Sequence, residues 1–305
     1  MKISTNQYFT SLNKQMSTQQ SKIAELQSQL ASGKKAVMPS QDLDATTATL
    51  RLQSAIQKQN DYVENLKSID NRLVMEESSI SAMQDMVNRM QEIAISARSG
   101  TFSADDLTLM ATEAEGYLTE VKALANSVDI NGRYIFAGTA STTTPFVTND
   151  AGKTEYKGNQ AEVGLEVEGG HSLKLNTSGL SLAGNFDRVA DGETTKVGMF
   201  DIMTDFVSAL KSNNFADLGT AMGEIQDLSK HLGSQIVDLG VRQNLISQRQ
   251  DIAADKQIIY ENLLSEAQDL DYSKAITQLS ADMLALEAAQ STFAKVSQLT
   301  LFNFI

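Results

Sequence analysis

Two stretches at opposite ends of the chain make the same demand on the fold. Near the start, Phe9, Leu12, Met16, Gln19, Ile23, Leu26 and Leu30 advance in alternating steps of three and four. Near the end, Tyr272, Ile276, Leu279, Met283, Leu286, Phe293 and Val296 repeat the pattern, with Gln290 at the one intervening position and no Pro or Gly. A period near 3.5 keeps one stripe turned toward a partner helix, which is the requirement of a coiled coil. The second stripe continues to the last residues as Leu299, Leu301, Phe302, Phe304 and Ile305. Most chains leave their ends polar and frayed, so an apolar end is expected to be packed.

Charge gives the two stretches a reason to meet. Residues 1–40 hold five lysines against one glutamate, and residues 261–305 hold six carboxylates against two lysines. Amphipathic helices of opposite charge invite pairing. The alternative is that each packs separately on a globular core.

A chain of 305 residues has room for two or three domains. Two prolines, no tryptophan and long unbroken periodicity point to a mostly helical protein. The net charge of −13, with no basic stripe to offset it, argues against a nucleic-acid partner. Cysteine is absent, which excludes disulfides and thiolate metal sites. The opening MKISTNQYFTSLNKQ lacks the apolar core of a cleaved signal peptide. No run is long and apolar enough to span a bilayer, so no membrane contact is expected. These two absences alone would place the protein in the cytoplasm.

In chain order, Ser32-Gly33 reads as a helix stop and Pro39-Ser40 as a turn into a new N-cap. A second helix is predicted from Asp42 to Arg98, on the order of 80 Å long, which implies a rod. A third runs from Ala104 to Val128. The texture then changes: 11 of the 18 glycines fall between residues 132 and 198. Tyr134 and Phe136 alternate with Ile135 and Ala137, as do Val163, Leu165 and Val167, suggesting short strands with Gly- and Asn-rich turns. Helix resumes at Met199, is interrupted at Asn213-Asn214, and continues through Leu218 to Leu264. The expected fold is therefore mainly α with a small β insert: an elongated antiparallel helical or coiled-coil rod. Its expected parts are residues 1–40 with 265–305 as a terminal coiled coil, 41–135 with 199–264 as the rod, and 136–198 as an inserted outer β domain.

The search for chemistry finds none. His171 and His231 are the only histidines, and two without well-placed carboxylates make no usual zinc site. GxSxG, P-loop and GxGxxG motifs are absent. Asp269 and Asp271 sit where a helix is expected to bend, and capping or interhelix contacts account for them. Met75, Met83, Met86 and Met90 read as core filler. Neither catalysis nor a cofactor is expected.

MKIST, SGKKAVMPSQD, NGRYIFAGT and the ending DLDYSKAITQLSADMLALEAAQSTFAKVSQLTLFNFI occur in this order. In this they resemble the flagellin superfamily, and within it the branch that forms the hook–filament junction of the bacterial flagellum. These motifs cover about half of the chain, and YKGNQAEVGLEVEGG in the insert is similar more loosely. Where that family commonly has DDP after the PS of the linker, this chain has Gln41-Asp42-Leu43, which bears on the local turn.

The resemblance implies a secreted, non-enzymatic structural protein, exported by the flagellar type III system without a cleaved signal. It implies assembly with itself, with the first junction protein on the hook side and with flagellin, after release from an export chaperone that holds the C-terminal helix. It assigns an assembly and chaperone seam to Leu279, Met283, Leu286, Phe293, Val296, Leu299, Phe302 and Phe304. A matching N-terminal seam falls to Phe9, Leu12, Met16, Ile23, Leu26 and Leu30. Flagellin itself is the alternative, and a self-contained coiled-coil scaffold or adhesin is a third reading.

Overall fold

The computed structural model describes residues 2–36, 43–99, 102–161, 164–167, 171–174, 176–190 and 193–302. The linker at Pro39, together with Val163 and Phe304, lies outside these residues. The chain is mostly helical, with long paired helices and small two-stranded sheets. Its helices are α1 (Lys2–Ser32), α2 (Leu43–Ala97), α3 (Ala104–Ala125), the short α4 (Gly179–Ala183), α5 (Met199–Lys211), α6 (Phe215–Gln268) and α7 (Tyr272–Phe302). Its strands are β1 (Phe146–Thr148), β2 (Thr154–Tyr156), β3 (Gly164–Val167), β4 (His171–Lys174), β5 (Phe186–Ala190) and β6 (Glu193–Val197).

Local chemistry sets the helix ends. Ser103 and Asp106 form a reciprocal capping box at the start of α3, satisfying two backbone donors that a helix start leaves open. Asn213 takes a left-handed backbone at φ 52° and separates α5 from α6. Asp271 Oδ1 accepts from the Lys274 amide at 3.0 Å and so caps α7, which is the work expected of the Asp269/Asp271 pair.

Two compact units are present: residues 63–252, and residues 1–62 with 253–305. In the first, α2 buries Leu66, Leu73, Ile80, Met83, Val87 and Met90. The pattern of α6 answers with Leu218, Ile225, Leu228, Leu232, Leu239 and Ile246. The two run antiparallel, as Gln84 reaches the Ser229 carbonyl and Gln243 reaches Glu77. Helices α3 and α5 pack beside them through Leu107, Val121, Met203 and Phe206.

Among its described residues the insert forms three separate antiparallel hairpins, β1–β2, β3–β4 and β5–β6, with α4 between the last two. The expected strand at Tyr134–Ala137 is not one. Tyr134 makes only an isolated bridge to Val128, and Ile135, Phe136 and Ala137 are all buried in a row. Turns replace the strand because Gly138 is left-handed at φ +69°, with Asn159 atoms 2.3 Å from where a Cβ would stand. Only glycine fits there.

Hydrogen bonds and ion pairs tie the insert to the helices of its unit. Arg188 on β5 donates to both carboxylate oxygens of Glu224 on α6, each at 2.6 Å, and to Asp205 on α5 at 2.6 Å. The bidentate geometry is the strong form of such a pair, and Glu224 first of all holds the guanidinium protonated above its usual range. Phe146 packs against Phe200 of α5, ring centres 5.0 Å apart and planes tilted by 60°. His231 on α6 is half-buried, its Nε2 donating to the Ser181 carbonyl at 2.9 Å and its ring lying edge-on to Phe186. It is a packing residue rather than a free surface one.

Candidate assembly surface

In the unit of residues 1–62 with 253–305, α1 and α7 lie against each other. Phe9, Leu12, Met16, Gln19, Ile23, Leu26 and Leu30 are all half-buried, while most positions between them face water. Phe9 meets Phe293 edge to face at 5.5 Å. Gln19 Nε2 donates to Asp282 Oδ1 at 2.9 Å, so the glutamine in the N-terminal stripe faces a carboxylate. At the other end of the pair, the Lys35 amide donates to the Gln268 carbonyl and the Leu270 amide to the Gly33 carbonyl, at 2.9 and 2.8 Å. Gly33 has φ +71°, and a Cβ there would stand 2.8 Å from the Tyr272 hydroxyl. The SGKK and QDLD segments are thus joined through their backbones.

The stripe on α7 differs from the one read off the sequence. Leu279, Leu286 and Phe293 lie in it, half-buried, but the alternate positions are Ala275, Asp282 and Ala289. Ile276, Met283 and Gln290 lie one residue further along and are exposed, Met283 at 52%. Both sets lie within one turn of Leu279 and its heptad mates. Small side chains let α1 approach, and Asp282 supplies the partner of Gln19. Ile276 and Met283 form a second row with Tyr272, open to solvent. Val296, Leu299 and Phe302 fall on α7, with side chains outside the described part, as is Phe304.

Among the described residues no cluster of His, Cys, Asp and Glu could hold a metal, and no helix is long and apolar enough to cross a membrane. What the surface offers is a narrow helical stripe on each side of one pair and a second apolar row.

Residues 3–141 match the bacterial flagellin N-terminal helical region. The chain is 25% identical to flagellar hook-associated protein 3 of Escherichia coli, over 99% of each chain. Flagellin FlaB2 of Treponema pallidum is 20% identical over 89% of this chain and 87% of its own. A structure of a flagellar hook-associated protein from Vibrio parahaemolyticus superposes with TM-score 0.66 at 17% identity, covering 75% of this chain and all of that one, a likeness of fold. The N-terminal part of the chain, residues 3–141, thus carries the helical region of the bacterial flagellin family. Within that family, its similarity to hook-associated protein 3 runs from end to end.

Proposed function

We propose that this chain is the junction subunit that joins the flagellar hook to the filament. The end-to-end similarity to hook-associated protein 3 carries this reading. It is a structural role, without a reaction, and it places the chain in the flagellum among other flagellar components. On the hook side the partner is the first junction protein, on the other side flagellin, and within the layer further copies of this chain. Before assembly an export chaperone covers α7, and the flagellar type III route carries the chain out. Filament subunit is the other reading, which the shorter cover by flagellin FlaB2 disfavours.

In this reading the half-buried stripe on α7 serves two partners in succession. Leu279, Leu286 and Phe293 bind the chaperone first and neighbouring subunits afterwards, with Met283 on the exposed row beside them. A helix held by such spaced anchors is a common mode of recognition. Leu286→Asp tests it, because a carboxylate that cannot reach water in that stripe costs several kcal/mol, roughly 2–7 by analogy with buried polar groups. Cells carrying the variant should build hooks without attached filaments, and the purified chaperone should no longer bind. The purified variant should unfold in urea at the native midpoint, since Leu286 lies outside the unit of residues 63–252. Normal filaments, or a markedly lowered midpoint, would overturn the assignment.

A further inference from the structure

The buried polar and charged residues of the described chain are Glu76, Asn176, Thr177 and Ser178, and they form one cluster. Glu76 sits in the apolar stripe of α2, three residues after Leu73 and four before Ile80, with no exposed surface. Its Oε2 accepts from the Thr177 amide at 3.1 Å, and its Oε1 lies 3.2 Å from Arg72 Nε. Arg72 in turn donates to the Ile135 carbonyl at 2.7 Å. From α6, Arg242 reaches toward the Asn176 carbonyl and the Thr177 hydroxyl while paired with Asp238. One carboxylate therefore stands where α2, α6, the turn at Ile135 and the strap of residues 176–178 meet.

We propose that Glu76 is the positioning residue of the insert: it fixes where the 176–178 strap and the Ile135 turn seat on α2 and α6, at the expense of stability while it is charged. An apolar residue would fill the same stripe on α2. It would leave the Thr177 amide without its acceptor, and a buried unpaired donor is strongly disfavoured. A single buried polar group in an otherwise apolar seam fixes register in the same way in coiled coils. This role does not depend on what the assembled protein does.

The energetics have a definite sign. Burial is the largest influence on Glu76 and raises its pKa above the ordinary 4.5, against Arg72, the Thr177 hydrogen bond and Arg242, which pull it down. The folded chain thus binds this proton more tightly than the unfolded chain. Its contribution to stability is full below the unfolded pKa and is lost as pH rises through the folded one. The facing charges are Arg72 on its own helix and Arg242 on α6, the latter offset by Asp238.

Urea unfolding of the full chain and of Glu76→Gln and Glu76→Leu, with amide exchange, tests the proposal. Glu76→Gln keeps an acceptor for the Thr177 amide and removes the charge. Its unfolding midpoint should match the native one near the unfolded pKa of 4.5, exceed it increasingly as pH rises toward the folded pKa, and keep a constant lead above that. Exchange at residues 135–137 and 176–179 should stay at the native rate. Glu76→Leu should exchange at least roughly tenfold faster in those segments, the loss of one buried hydrogen bond, while α2 and α6 keep their protection. A difference in midpoint for Glu76→Gln that does not change with pH would overturn the proposal. So would native protection of the strap in Glu76→Leu. Should Glu76→Leu not fold, the pH profile and strap exchange of Glu76→Gln decide alone.

Discussion

The α1–α7 pair and the unit of residues 63–252 use the same sequence periodicity and reach different degrees of burial. Along α1 and α7, no described side chain larger than alanine is fully buried; Ala275 is, while Phe9, Leu286 and Phe293 are only half-covered. In the other unit Leu73, Ile80, Met203 and Phe206 are completely covered. Two helices touching along one stripe leave most of each surface to water, and four helices with an insert do not. Burial is what offsets the entropy of ordering a chain. The terminal pair therefore has the smaller stability of its own. The contrast can be broken by experiment.

The largest effect should come from replacing residues 139–197 by a short linker. The insert supplies Phe146 against Phe200, the fully buried Leu182, the strap whose Thr177 amide donates to Glu76, and Arg188 for Glu224 and Asp205. Losing them should destabilise the unit by more than about 5 kcal/mol, since single large-to-small core changes already cost 2–5. Urea unfolding followed by circular dichroism measures this. An unchanged midpoint would mean the insert is decoration on a self-sufficient helical core.

Phe206→Ala comes next, at about 3–5 kcal/mol, because the ring is fully buried on α5. Amide exchange sharpens the result. Exchange in α2, α3, α5 and the middle of α6 should accelerate together, while residues 9–30 and 275–293 keep their native, faster rates. Equal acceleration at both places would show that the two regions open in one event, and the contrast would fall.

Much of this was legible in the sequence, and the parts that were not have physical reasons. The stripe on α1 could be read residue by residue, because its large apolar side chains occupy both positions of the heptad. On α7 only Leu279, Leu286 and Phe293 were, because Ile276 and Met283 outrank Ala275 and Asp282 in hydrophobicity but not in fit beside α1. Periodicity cannot choose between neighbours one residue apart when both fall near the seam. Glu76 left a visible mark, a charge interrupting the alternating steps from Leu73 to Met90. Its partners, Thr177 and Arg242, are about a hundred residues or more away and carry no local signal. The insert's separation into three hairpins was likewise unreadable, since glycine and asparagine mark turns without saying which strands pair. Nor does any residue mark the division between units, which falls inside α2 and α6.

The smallest effect in stability belongs to the polar contact inside the terminal stripe. Gln19 and Asp282 face each other across α1 and α7, part-buried at 2.9 Å. A polar pair in an apolar seam lowers stability and specifies register, because any shift along the helices leaves both groups unpaired. Gln19→Leu combined with Asp282→Leu should therefore slow amide exchange in the pair by the equivalent of about 1 kcal/mol, a typical net hydrogen-bond magnitude. The same double variant should attach filaments less well, as slipped pairings become available to helices that must present one row to their neighbours. Either single variant should fare worse in the pair than the double, since each leaves one partner facing leucine. If the double variant both stabilises the pair and attaches filaments at the native level, register in this pair is set elsewhere. The backbone junction at Gly33 and Leu270 is then the place to look.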